Sequence, residues 1–82
     1  MLLMENVNSA VLSLEDGGGR VTLGAGSRAK VEQGYTFDIY RVNRYIGRLK
    51  IDRVEADRSS GVVEIVAPGR EVQVGDSAAT RL

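Results

Sequence analysis

The stretch Tyr35–Ala56, YTFDIYRVNRYIGRLKIDRVEA, constrains the fold more than any other part of this 82-residue chain. Tyr35, Phe37 and Ile39 alternate with Thr36, Asp38 and Tyr40, the period-two pattern of a strand with one buried face. After a reversal placed at Asn43-Arg44, Leu49 and Ile51 resume the pattern against Arg48, Lys50 and Asp52. Two long strands therefore form a hairpin, and shorter strands must be arranged around it. The next apolar residues, Val54 and Ala56, fall out of step with Leu49 and Ile51. One extra residue near Asp52-Arg53 repairs the register, so a β-bulge is expected there, a device that bends a long strand round a small barrel. Gly47, with no side chain to pack, suits a sharp bend or a close backbone approach.

The flanking segments read as strands too. Asn8–Leu14 places Ala10, Leu12 and Leu14 on one face, and Arg20–Leu23 turns Val21 and Leu23 inward. Gly61–Ala67 puts Val63 and Ile65 on one face and Val62, Glu64 and Val66 on the other, and Ser77–Leu82 is a last strand. Asp16-Gly17-Gly18-Gly19, Asp57–Gly61 and Pro68-Gly69 punctuate them, and Gly24–Lys30 reads as a loop with one helical turn. Residues 1–7 are expected to fray, leaving 8–82 as one domain. No helix of ordinary length is predicted.

A near-repeat supports this division. Leu12, Leu14, Gly19, Val21 and Leu23 line up at constant spacing with Val54, Ala56, Gly61, Val63 and Ile65. Val31-Glu32-Gln33-Gly34 lines up with Val72-Gln73-Val74-Gly75 after one deletion. Neither half could bury its apolar face alone, whereas interlocking the two buries both. A chain this short buries only about 60–65% of its unfolded surface, and closing the sheet removes exposed edges without further residues. The expected fold is an all-β, six-stranded barrel of two pseudo-repeated halves, with little or no helix.

Eleven Lys and Arg balance eleven Asp and Glu, so no global field draws the chain to nucleic acid or an anionic membrane. Cys and His are both absent, which removes disulfides, thiolate metal sites and the commonest general base. No run approaches the ~20 apolar residues of a membrane helix, and Met1-Leu2-Leu3-Met4 is too short for a signal peptide, so no membrane insertion is expected.

Five groups of residues could carry chemistry. Asp76, after Gly75, offers a carboxylate, but an Asp at that place more often accepts amide hydrogen bonds within a turn. Gly24–Lys30 (GAGSRAK) satisfies neither phosphate-loop pattern and is expected to be a plain barrel loop. Asp52, Glu55 and Asp57 lack cation-loop spacing, and alternation splits them between faces. Tyr40, Arg41, Tyr45, Arg48 and Lys50, with Arg44 and Arg53 nearby, form a candidate face for single-stranded nucleic acid, with rings stacking on bases. Neighbouring Asp38, Asp52, Glu55 and Asp57 favour pairing of those cations within the sheet instead. Val62 and Val66, opposite the face of Val63 and Ile65, form a candidate contact with a partner or a second copy. Gly34, Asn43, Gly47, Gly75 and Asp76 are assigned structural roles in turns and bends. No catalytic residue, metal site or cofactor is expected.

Tyr35–Arg41 (YTFDIYR), Tyr45–Ile51 (YIGRLKI) and Val72–Asp76 (VQVGD) together resemble small β-barrel modules of bacterial envelope proteins. Those include uncharacterised domains of planctomycete-type proteins that often follow coiled coils. The motifs are similar, more distantly, to the C-terminal domain of the flagellar assembly protein T family. The likeness runs over residues 8–82 and departs where Asn43-Arg44 stands in place of a Gly-bearing turn. It implies a non-enzymatic structural or protein-interaction module, often extracytoplasmic, with a protein partner or a second copy as its ligand. The alternative is a barrel that binds single-stranded nucleic acid.

Overall fold

The computed structural model describes residues 6–80, and within them six antiparallel strands close into a barrel. The strands are β1 (Asn8–Glu15), β2 (Arg20–Leu23), β3 (Thr36–Arg41), β4 (Arg44–Val54), β5 (Ser59–Val66) and β6 (Ser77–Thr80). Around the barrel they run β1-β2-β5-β4-β3-β6, with β6 pairing back to β1. The helical content among the described residues is two three-residue 3-10 turns, Asp16–Gly18 and Ser27–Ala29. The fraying expected of residues 1–7 concerns mostly positions 1–5, which lie outside the described residues. Val7, grouped with them on sequence, is buried; its amide donates to Thr80 Oγ1 at 2.9 Å and its carbonyl accepts from the Thr80 amide at 3.0 Å.

The central hairpin turns one residue earlier than its sequence suggested. Arg41 pairs with Arg44, so the two-residue connection is Val42-Asn43, not Asn43-Arg44. Both residues have positive φ, 48° and 64°. That geometry matches the twist of the flanking strands but is unfavourable for the β-branched Val42. A bulge lies between Ile51 and Arg53 in β4, and a Cβ at Gly47 would collide with the Ile65 carbonyl of β5.

Two further bulges reverse expected faces. In β1 the register shifts between Val11 and Ser13, so Val11 enters the core and Leu12 is half exposed. The phase expected from Ala10, Leu12 and Leu14 therefore fails: Ala10 is exposed and only Leu14 packs against the core. In β5 the shift between the Arg48–Ile65 and Leu49–Val63 pairs makes Glu64 the extra residue. Ser59, Gly61 and Val63 then alternate inward, and Ile65 is exposed rather than buried.

The pseudo-two-fold relation holds in the ladders. The β2–β5 ladder pairs Val21 with Gly61 and Leu23 with Ser59, symmetric about Thr22–Ser60. The β3–β6 ladder pairs Phe37 with Thr80 and Ile39 with Ala78, symmetric in the same way. Gly34 donates to Ile51 O at 2.8 Å while Gly75 donates to Val11 O at 2.9 Å, and both glycines have φ of 93°. Structurally, Val11 thus matches Ile51 and Leu23 matches Gly61. The sequence line-up of Leu12 with Val54 and Val21 with Val63 is out of step, because the equivalent pairs Val11–Leu23 and Ile51–Gly61 enclose hairpins of different length and do not share one spacing.

Val11, Val21, Leu23, Phe37, Ile39, Ile46, Leu49 and Ile51 fill the barrel, each at most 1% exposed. Val31 and Val72, the first residues of the two V-x-x-G segments, close its ends.

Candidate functional site

Asp76 is the one charged side chain in the buried set of the described residues, at 4% exposure. Arg41, 35 positions earlier, donates through Nε to Asp76 Oδ1 at 2.7 Å and through an Nη to Oδ2 at 2.9 Å. The Gln73 amide adds a third bond to Oδ2 at 2.8 Å, and the same guanidinium donates to the Glu71 carbonyl. Burial pushes the Asp76 carboxyl up, but the Arg41 bonds, the Gln73 amide and the Arg41 charge outweigh it and hold the pKa below the ordinary value. The same hydrogen bonding raises Arg41 above its ordinary value against the effect of burial. Both carboxylate oxygens are thus occupied, and the pair clamps the 70–76 loop to the end of β3.

That clamp removes Arg41 from the candidate nucleic-acid face. Tyr40 and Tyr45 pack edge to face with centroids 5.8 Å apart, so the rings engage each other. Arg48 lies 3.9 Å from Asp38 across the β3–β4 ladder, and its Nε is buried without a hydrogen-bond partner. Lys50 remains exposed on the outer wall, paired in register with Val62. Asp52 takes a bidentate contact from Arg20 with Nη–O distances of 2.9–3.1 Å, and Asp57 takes Arg28 at 3.2 Å. Asp52 and Asp57 are therefore held by separate arginines, and Glu55 does not join them. Among the described residues no group of three or more acids is placed to hold a metal ion, and no helix is long and apolar enough to cross a membrane.

Val62 and Val66 do not form one surface, because the Glu64 bulge sends them apart. Val62, 49% exposed, lies on the outer wall in a shallow groove with Gln33, Lys50, Asp52 and Glu64. Val66, 44% exposed, lines a different depression at the end of the barrel. This end cleft, about 530 Å³, is lined by Leu14, Val63, Val66, Val72 and Val74, with Gly17–Gly19 as one wall and Arg70–Gln73 as the other. Its volume falls within the range of ordinary ligand pockets. Leu14, Val63 and Val72 also touch the core, so the cleft floor is a continuation of the barrel interior.

Of the cleft residues, sequence singled out Val66 as a contact. The signal that could have found the rest is three consecutive glycines, Gly17–Gly19, facing an aliphatic V-x-V (Val72–Val74) that alternation leaves half outside the core. No family model, curated protein or solved structure matches this chain.

Proposed function

We propose that this chain is a non-enzymatic structural or protein-interaction barrel that takes a protein partner in the cleft at one end. The observation that carries this reading is the end cleft: an aliphatic floor continuous with the core and bounded by bare glycine backbone on one wall. Apolar concavities of this kind gain free energy when a chain segment covers them. The buried carboxylate of Asp76 is consumed by Arg41 and Gln73, so it serves as a fastening and not as a base. The resemblance to envelope-protein modules suggests the setting, an assembly role in a larger extracytoplasmic protein.

Selection of displayed random peptides against the wild-type barrel and a Val66→Asp/Val74→Asp variant tests the reading. Peptides enriched on the wild type alone are the expected result. A fluorescent single-stranded oligonucleotide provides the opposing arm. If no peptide is enriched and the oligonucleotide binds with an affinity that falls steeply as salt rises, the barrel is a nucleic-acid binder instead.

A further inference from the structure

The two halves of the barrel differ in the path of the chain after β2 and after β5, and the difference indicates what the end cleft accepts. After β2 the chain turns across the β4–β5 turn and fills the space there. Ala25 and Gly26 are buried, and a Cβ on Gly26 would collide with the Glu55 carbonyl. Ser27 and Arg28 donate their amides to the carbonyls of Glu55 and Ala56 at 2.8 and 3.0 Å. The Arg28 guanidinium reaches Asp57 at 3.2 Å, and Ser59 Oγ fixes the Ala25 carbonyl at 2.7 Å. This segment, Gly24–Lys30, therefore closes one half by small residues pressed against a turn, followed by a cation over an aspartate.

In the other half the corresponding chain does not cross its turn. The Val63 amide donates to Gly19 O at 3.0 Å, but β5 then continues along β4 to Val66. It reverses at Pro68-Gly69 and returns as Arg70–Val74, leaving the end cleft between itself and Gly17–Gly19. The two turns carry matching chemistry. Each opens on a glutamate, closes on an arginine and holds one aspartate: Glu15, Arg20 and Asp16 here, Glu55, Arg58 and Asp57 there. Asp57 has Arg28 above it, whereas Asp16 is exposed and has no cation within ion-pair distance among the described residues.

Building on the protein-interaction reading, we infer that the end cleft binds an extended partner segment of the same chemistry as Gly24–Lys30: two or three small residues followed by a lysine or arginine. The small residues approach the bare Gly17–Gly19 wall and cover Val63, Val66 and Val74, and the cation sits over Asp16. The charged side chains that line the cleft itself, Arg70 and Glu71, balance each other. It is therefore the intramolecular counterpart on the pseudo-symmetric side, with Asp16 next to the glycine wall in sequence, that selects this occupant over a purely aliphatic one.

The probe is a synthetic peptide with the sequence of residues 23–31, Leu-Gly-Ala-Gly-Ser-Arg-Ala-Lys-Val, titrated into the isotopically labelled protein and followed by amide chemical shifts. Saturable shifts are expected at Gly17–Gly19, Val63, Val66 and Val74, with the outer-wall residues Lys50 and Val62 unmoved. Replacing both the arginine and the lysine of the peptide by alanine, or Asp16→Asn in the protein, weakens binding about two- to fivefold, the size of an exposed charge pair. Making both changes weakens it little further. Asn tolerates the positive φ of 54° at this position, so Asp16→Asn leaves the fold intact. Absent shifts at the cleft, or equal affinity for the peptides with and without their two cations, overturn the inference. If display nevertheless enriches peptides of other composition at the cleft, the interaction role stands and only the small-then-basic preference fails; if neither source binds there, both fail.

Discussion

Asp76→Asn is the perturbation with the clearest expected size. Three donors converge on the carboxylate: Arg41 Nε on Oδ1, and an Arg41 Nη with the Gln73 amide on Oδ2. An amide has one acceptor oxygen. Placed at the Oδ2 position it keeps Gln73 and one Arg41 bond, but its NH2 group then faces Arg41 Nε, donor against donor. At least one charge-assisted bond is lost, worth about 1.5–3 kcal/mol, and the surviving Arg41 bond weakens with the loss of charge. A total of about 2–4 kcal/mol is expected, a large share of the roughly 4–12 kcal/mol available to a domain of this length. Because a small domain loses about 4–8 °C for each kcal/mol, Tm falls by at least about 8 °C. The pH dependence identifies the cause. The folded pKa of Asp76 lies below its ordinary value of 3.8, so the stabilisation is complete above that value and is lost as pH falls through the folded pKa. The gap between wild type and Asp76→Asn should therefore be full at pH 7 and should narrow below about pH 4. Urea denaturation followed by far-ultraviolet circular dichroism measures both, since the chain has no Trp to report. A gap under about 0.5 kcal/mol at pH 7, or one unchanged at pH 2.5, refutes the reasoning.

Other expectations are as direct. Replacing Val42-Asn43 by Asn-Gly relieves two positive-φ residues at the hairpin tip and should stabilise the protein by about 1 kcal/mol in the same assay. Gly47→Ala forces a methyl group against the Ile65 carbonyl and should cost about 1–3 kcal/mol, with the loss of ladder protection confined to β4 and β5 in amide exchange. Ser59→Ala strands the buried Ala25 carbonyl and should cost about 1–3 kcal/mol, whereas Arg20→Ala, which removes an exposed pair with Asp52, should cost no more than about 1 kcal/mol and less at high salt.

The parts of the fold that could be read from sequence are those where local pattern and local geometry coincide. Phe37, Ile39, Leu49 and Ile51 alternate cleanly and are all buried, and the break in phase after Ile51 coincides with a bulge. The two V-x-x-G segments occupy equivalent corners because each needs one buried valine and one glycine at positive φ. Leu12 and Glu64 mark where legibility ends. Each is an extra residue in its strand, and a one-residue bulge exchanges the faces of everything beyond it. That exchange exposed Leu12 and Ile65, separated Val62 from Val66, and hid the end cleft from any count of alternating residues. The Arg41–Asp76 clamp left no local trace at all, since its partners are 35 residues apart and meet only once β3 and β6 are paired.

The central claim is that the halves interlock to seal one aliphatic core, with the β2–β5 and β3–β6 ladders centred on the pseudo-two-fold axis. Inter-strand nuclear Overhauser contacts test it most directly. Contacts linking Thr22 with Ser60 and Ile39 with Ala78, together with slowly exchanging amides in both ladders, are the predicted result. Loss of either set, with the other intact, would mean an open sheet and would contradict the account.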